Sequence, residues 1–141
     1  MTACIFCNII EGTIPSAKIY EDEHTIAFMD IMPVTKGHVL LIPKTHRENV
    51  YELTEEEASR LFAVVPKIAN ALKAEFTPAG LNLLQNNGAP AGQAVFHFHL
   101  HLIPRYDETD GFKPTFESKV SEFTPERIQE IAADIRAKLG K

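Results

Sequence analysis

His97-Phe98-His99-Leu100-His101-Leu102-Ile103 is the stretch whose reading decides the fold: three histidines alternate with bulky apolar residues, and an apolar pair closes the run. Strict alternation is the period of a β-strand, so the imidazoles are expected on one face while Phe96, Phe98, Leu100 and Leu102 enter a core on the other. A single histidine on a strand is more often packed or solvated than catalytic. Three on one face are poorly explained as core filling, because their apolar neighbours already supply the buried side.

Immediately before this run, Leu81 to Asn86 reads as another strand, and Asn87-Gly88-Ala89-Pro90-Ala91-Gly92 has the composition of a tight loop. Gly88 and Gly92 lack side chains, so backbone N–H groups there can approach an anion closely and make a phosphate cradle. Most glycine-rich turns merely reverse the chain. This one leads straight into the histidines.

Further upstream, Ile19-Tyr20, His24 to Ile31 and His38 to Ile42 read as strands. Pro33 and Gly37 separate the last two as a hairpin, and Pro43 closes the third. Asp30 stands at the end of the second strand, where taken alone it reads as a turn residue. Cys4 to Gly12 carries Ile5, Phe6, Ile9 and Ile10 at the spacing of a short amphipathic helix, which puts Cys4 and Cys7 on one face. Such a cysteine pair is two small buried hydrophobes, a redox pair or half of a metal site. The redox reading expects a preceding strand, and none is visible in the sequence before Cys4.

Thr54-Glu55-Glu56-Glu57 is a capping box that starts a helix running to about Phe76, with an apolar stripe of Ala58, Leu61, Phe62, Val65, Ile68, Ala69, Leu72 and Phe76 and a bend expected at Pro66. Tyr106 to Ser121 is polar and expected to be irregular. Thr124-Pro125 then opens a last helix with the stripe Ile128, Ile131, Ala132, Ile135 and Leu139. The expected fold is α+β: one antiparallel sheet of about five strands, covered by helices 54–76 and 125–139, with a short N-terminal helix. A single domain over residues 1–141 is expected, with 124–140 as a C-terminal helical extension.

Composition narrows the function. The 141 residues carry 14 Lys plus Arg against 19 Asp plus Glu, a formal charge of −5, which argues against a nucleic-acid binder that must neutralise many phosphates. The sequence has no apolar run of the roughly 20 residues that span a bilayer, and the start has no signal-peptide pattern, so no membrane partner and a cytoplasmic location are expected.

The chain resembles the histidine triad superfamily, whose signature is His-x-His-x-His followed by two apolar residues. The resemblance runs from Cys4 to Arg105 through Cys4-Ile5-Phe6-Cys7, Phe28-Met29-Asp30-Ile31-Met32-Pro33, Gly37-His38 to Lys44-Thr45-His46, and Asn86-Asn87-Gly88 through Gly92-Gln93 into the triad. It implies a homodimer built on the long helix and the strand after it. It also implies a nucleotide hydrolase or transferase that acts at an α-phosphate of purine nucleotide conjugates through a covalent nucleotidyl-histidine. Asp30 matches a ribose-binding acid, and Ile5, Phe6, Phe28 and Ile31 match an apolar base pocket. Asn86, Gly92 and Gln93 match the nucleotide and phosphate surroundings.

The same resemblance divides the histidines. Cys4 and Cys7 with His46 and His97 would hold a structural zinc, since thiolate and imidazole suit a closed four-coordinate site. His99 is then the nucleophile, a neutral imidazole at cytosolic pH, with His101 and His38 around the phosphate. Ala94 departs from the pattern, standing where relatives carry Ser or Thr as a leaving-group donor. Two readings compete. One is a catalytic metal held by His97, His99 and His101, weakened by the lack of a nearby carboxylate ligand. The other is a nucleotide-binding sensor or scaffold with little turnover, suggested by Ala94.

Overall fold

The computed structural model describes residues 3–140. Cys4 is the N-cap of α1 (Ile5–Glu11), its side chain accepting from the Cys7 amide, and Gly12 ends the helix in the left-handed conformation at φ 86°. Glycine alone takes that backbone without penalty. Four strands and the long helix follow as β1 (Lys18–Glu21), β2 (Thr25–Met29), β3 (Val39–Pro43), α2 (Glu55–Phe76) and β4 (Gly80–Gln85). β5 (Leu100–Arg105) and α3 (Pro125–Lys138) complete the chain. The five strands form one antiparallel sheet in the order β1-β2-β3-β5-β4, with β2 and β3 paired as the expected hairpin.

Alternation along the strands gives the sheet two different faces. On one, Ala27, Val39, Leu41, Leu100 and Leu102 meet Leu61, Val64, Val65, Ile68 and Leu72 of α2. On the other, Ile26, Phe28, Leu40 and Ile42 pack with Phe6 of α1. His101 lies opposite Leu40 in the β3–β5 register, and therefore on the α1 side. The capping box at Thr54 and Glu57 forms as the sequence implies, and α2 continues through Pro66 to Phe76 as one helix. Among the described residues no helix is long and apolar enough to cross a membrane.

Four expectations need correction. The histidine run is not one strand: β5 begins at Leu100, and residues 97–99 approach it outside the ladder. Pro43 at the end of β3 offers only a carbonyl, and that carbonyl faces the His97 ring at 2.8 Å, while the Phe98 amide donates to Arg47 O. Phe96 is 44% exposed and does not enter the core, although Phe98 does at 1%.

α3 is the third correction. It forms with Thr124 as its cap, but it has no buried residue and does not cover the sheet. Ile128, Ile135 and Leu139 are 51%, 57% and 68% exposed. An apolar stripe says that a helix wants a cover without saying which surface supplies it, and α2 and α1 already occupy the two sheet faces. Phe62 likewise leaves the α2 stripe and is half-exposed.

Candidate functional site: two histidine clusters joined by a backbone

The side chains of Cys4, Cys7, His46 and His97 converge so that one donor atom from each lies within 4.8 Å of the others. His97 Nδ1 is 3.5 Å from Cys4 Sγ, 3.6 Å from Cys7 Sγ and 3.2 Å from His46 Nδ1. The other His97 nitrogen, Nε2, lies 2.8 Å from Pro43 O. A carbonyl accepts only, so Nε2 carries the proton and Nδ1 presents its lone pair to the two thiols. That is the arrangement of a metal-binding histidine whose outer nitrogen is held by a carbonyl. Two sulfurs and two nitrogens around one point form a donor set that suits a tetrahedral, thiophilic cation. Partial burial, then the hydrogen bond and charge of Cys4, raise the Cys7 thiol to about 11, so metal binding must release its proton.

The second cluster has a different proton pattern. His38 Nδ1 accepts from the Val34 amide at 3.2 Å, which leaves the proton of a neutral His38 on Nε2. His38 Nε2 lies 2.9 Å from His101 Nδ1 and 3.4 Å from Asp30 Oδ2. The donor is therefore His38, and His101 must carry its own proton on Nε2. Asp30, His38 and His101 also come close enough to resemble a metal group. A cation on His38 Nε2 would force the proton to Nδ1, against the Val34 N–H, so the local hydrogen bonding opposes a metal there.

His99 stands between the clusters, with its ring 5.0 Å from His101 and 5.2 Å from Phe6. Its Nδ1 is 2.8 Å from His97 O, so that nitrogen donates and Nε2 is left with a free lone pair. Burial pushes His99 and His38 below the usual imidazole range. It lowers His101 to about 4, helped by His99 and His38. The site thus holds a chain of neutral imidazoles with assigned donors and acceptors.

The candidate nucleotide residues are placed unevenly. Phe6 and Phe28 are buried at 5.5 Å edge to face, whereas Ile5 and Ile31 are open to solvent. Asp30 Oδ1 accepts from the Met32 amide, the bond of a turn residue, and Oδ2 faces His38. Gly88 and Gly92 take φ of 91° and 99°, and a short 3₁₀ turn at Ala89–Ala91 lies between them. Asn86 reaches across to Gly92 O at 3.4 Å. Gln93 is buried, with Oε1 accepting from the Gly88 amide and Nε2 donating to Glu48 O and Val95 O. In this structure its amide shapes the loop.

The organising partners that the sequence did not reveal are all backbone groups: Val34 N–H, Pro43 O and His97 O. No residue type marks them. Only the proline at 43, which withdraws an amide from the ladder, was a signal.

The HIT domain model matches residues 11–108 of the chain. "Protein hit" of Bacillus subtilis is 57% identical over 137 residues, 97% of this chain and 94% of that protein. Adenosine 5'-monophosphoramidase hnt1 of Schizosaccharomyces pombe is 38% identical over 137 residues, 97% and 98% of the two chains. Among solved structures, a HIT family member from Bacillus subtilis superposes with a TM-score of 0.96 at 56% identity over 99% of both chains. A Zn-bound histidine triad family protein from Mycobacterium smegmatis gives 0.72 at 37% identity, covering 90% and 86%. With its sheet, its triad and its glycine loop in place, the chain belongs to the HIT family.

Proposed function

We propose that the protein hydrolyses or transfers the nucleotidyl group of purine nucleotide conjugates by attack of His99 on the α-phosphate. The observation that carries this reading is the His99–His97 contact, which leaves Nε2 unprotonated in a buried site flanked by the donor His101. Attack forms a bond from Nε2 to phosphorus as the bond to the leaving group breaks and its electron pair departs with that group, as a carboxylate or phosphate anion or as an amine that takes its proton from solvent water. The ring becomes an imidazolium, and its Nδ1–H already faces a carbonyl dipole that favours the positive charge. Water then hydrolyses the adduct, releasing the nucleotide and restoring the imidazole. His101, donating through Nε2, and His38 behind it serve the phosphate oxygens.

Ile5, Phe6, Phe28 and Ile31 line the base side, Asp30 Oδ2 takes the ribose, and Asn86, Gly92 and Gln93 frame the phosphate loop. Cys4, Cys7, His46 and His97 hold zinc in a structural role, a reading supported by their donor set and by the Zn-bound mycobacterial relative. With four protein ligands no position is open for water. The chain works as a cytoplasmic homodimer. Among the described residues β4 pairs only with β5, and its Leu81 and Leu83 are 37% and 46% exposed, so the α2–β4 side has apolar surface to bury. Light scattering that gives the mass of one chain at every concentration would remove that part.

Adenosine 5'-phosphoramidate is the first substrate to offer, since the fission-yeast relative is named for that class. Release of AMP over many turnovers supports the enzyme reading. Tight AMP binding without turnover would instead favour a sensor.

A further inference from the structure

The segment after β5, polar and irregular as its sequence implies, contains a buried carboxylate. Asp110 is 9% exposed, and its Oδ2 accepts from the Arg105 side chain at 3.1 Å and from the amides of Tyr106 and Asp107 at 2.8 and 3.3 Å. This closes residues 106–111 into a tight turn anchored on the end of β5. The turn then grips the loop between β2 and β3 at two points. Gly111 N–H donates to Val34 O at 2.8 Å, and the Tyr106 hydroxyl donates to Lys36 O at 2.7 Å. Val34 is also the residue whose own N–H donates to His38 Nδ1.

We propose that Tyr106, Asp110 and Gly111 are positioning residues that strap residues 34–36 in place and so decide which nitrogen of His38 carries the proton. The strap holds Val34 by its C=O, in the peptide that follows the residue, while its N–H, in the peptide that precedes it, faces the imidazole. If Val34 drifts, His38 Nδ1 loses its only donor among the described contacts, and the Nδ1–H tautomer becomes accessible. His38 would then accept rather than donate toward His101, and His101 would have to turn its own proton inward, away from the phosphate. The chemical consequence rests on the function proposed above. The proton placement does not.

Gly111 offers a clean probe. A Cβ there would lie 2.7 Å from Val34 O, closer than such atoms approach, while its φ is outside the left-handed region, so alanine is opposed by space alone. For Gly111→Ala, nitrogen-15 spectra should show His38 shifting from the single Nε2–H form to a mixture of tautomers. The kcat for adenosine phosphoramidate should fall about tenfold with KM little changed, a modest share of an acid–base contribution. Tyr106→Phe, which loses one tie, should fall only a few-fold and shift the same His38 signals less. Should Gly111→Ala fail to fold, Tyr106→Phe and Asp110→Asn carry the test. Wild-type His38 signals and kcat in folded strap variants would overturn the proposal. A wild-type protein without turnover would instead overturn the functional reading, and the His38 spectra would still decide the strap.

Discussion

His99 Nδ1 lies 2.8 Å from the carbonyl oxygen of His97. That contact joins the two halves of the site, because the peptide that orients His99 belongs to a residue whose own ring faces Cys4, Cys7 and His46. A side chain held at Nδ1 by a backbone carbonyl has one nitrogen left for chemistry.

His99→Ala should therefore abolish turnover while retaining AMP binding within a few-fold, since ground-state contacts come from the surrounding residues. Quenched single-turnover mass spectrometry on wild-type protein should locate a nucleotidyl adduct at His99. An adduct on His101 or His38 would overturn the assignment, and near-normal turnover by His99→Ala would sink covalent catalysis altogether.

Removing the metal should act on stability more than on the reacting atoms. Cys4→Ser and His46→Ala should lower zinc content and melting temperature together, because a ligand bound only by the folded state stabilises it by linkage. The effect should reach α1, whose N-cap is Cys4 itself. A chelated protein that melts like the untreated one would show that the four side chains simply pack.

Asp30 has one oxygen engaged by the Met32 amide and the other directed toward His38. If Oδ2 also takes the ribose hydroxyls, Asp30→Ala should weaken AMP binding by about tenfold or more, the scale of one charge-assisted hydrogen bond. Binding of 2′-deoxy-AMP should change less. Equal losses for both ligands would leave Asp30 as a turn residue only.

Much of this architecture was legible because its signals are local. Thr54 with Glu57 marked the start of α2, Gly12 marked the end of α1, and Pro33 and Gly37 separated the paired strands β2 and β3. The grouping of Cys4, Cys7, His46 and His97 was legible only through resemblance, since His46 and His97 are far apart in sequence. The entry of the histidine run into the sheet was misread because alternation records which side residues face without recording which amides are paired. Phe98 keeps the core side while its N–H goes to Arg47 O. α3 was misread for a related reason: Ile128 and Ile135 define a stripe, but nothing in them names its cover. The strap at Asp110 was invisible because, apart from the Arg105 side chain, its partners are backbone groups.

The last prediction concerns pH, and it follows from burial of the second cluster. Burial is the main cause that lowers His101 to about 4, and His38 and His99 are lowered by the same cause. An imidazole in the unfolded chain takes up its proton near 6.5. Between about 6.5 and about 4 the unfolded state thus holds a proton at His101 that the folded state lacks. Stability must then rise with pH across that window and be lost as pH falls through it, with no further loss from this group below the folded value. The contribution should be on the order of 2 kcal/mol after allowing for partial solvent access. Urea melts at several pH values on wild type and on His101→Gln isolate it, because the variant removes one titrating group while the metal ligands remain. The wild type should lose more stability on acidification than the variant does. The same depression keeps His99 neutral, so the acid limb of kcat/KM should lie below the ordinary histidine value. Equal pH slopes for the two proteins would remove His101 from the account, and an acid limb at or above 6.5 would show that the imidazoles are not desolvated as the structure implies.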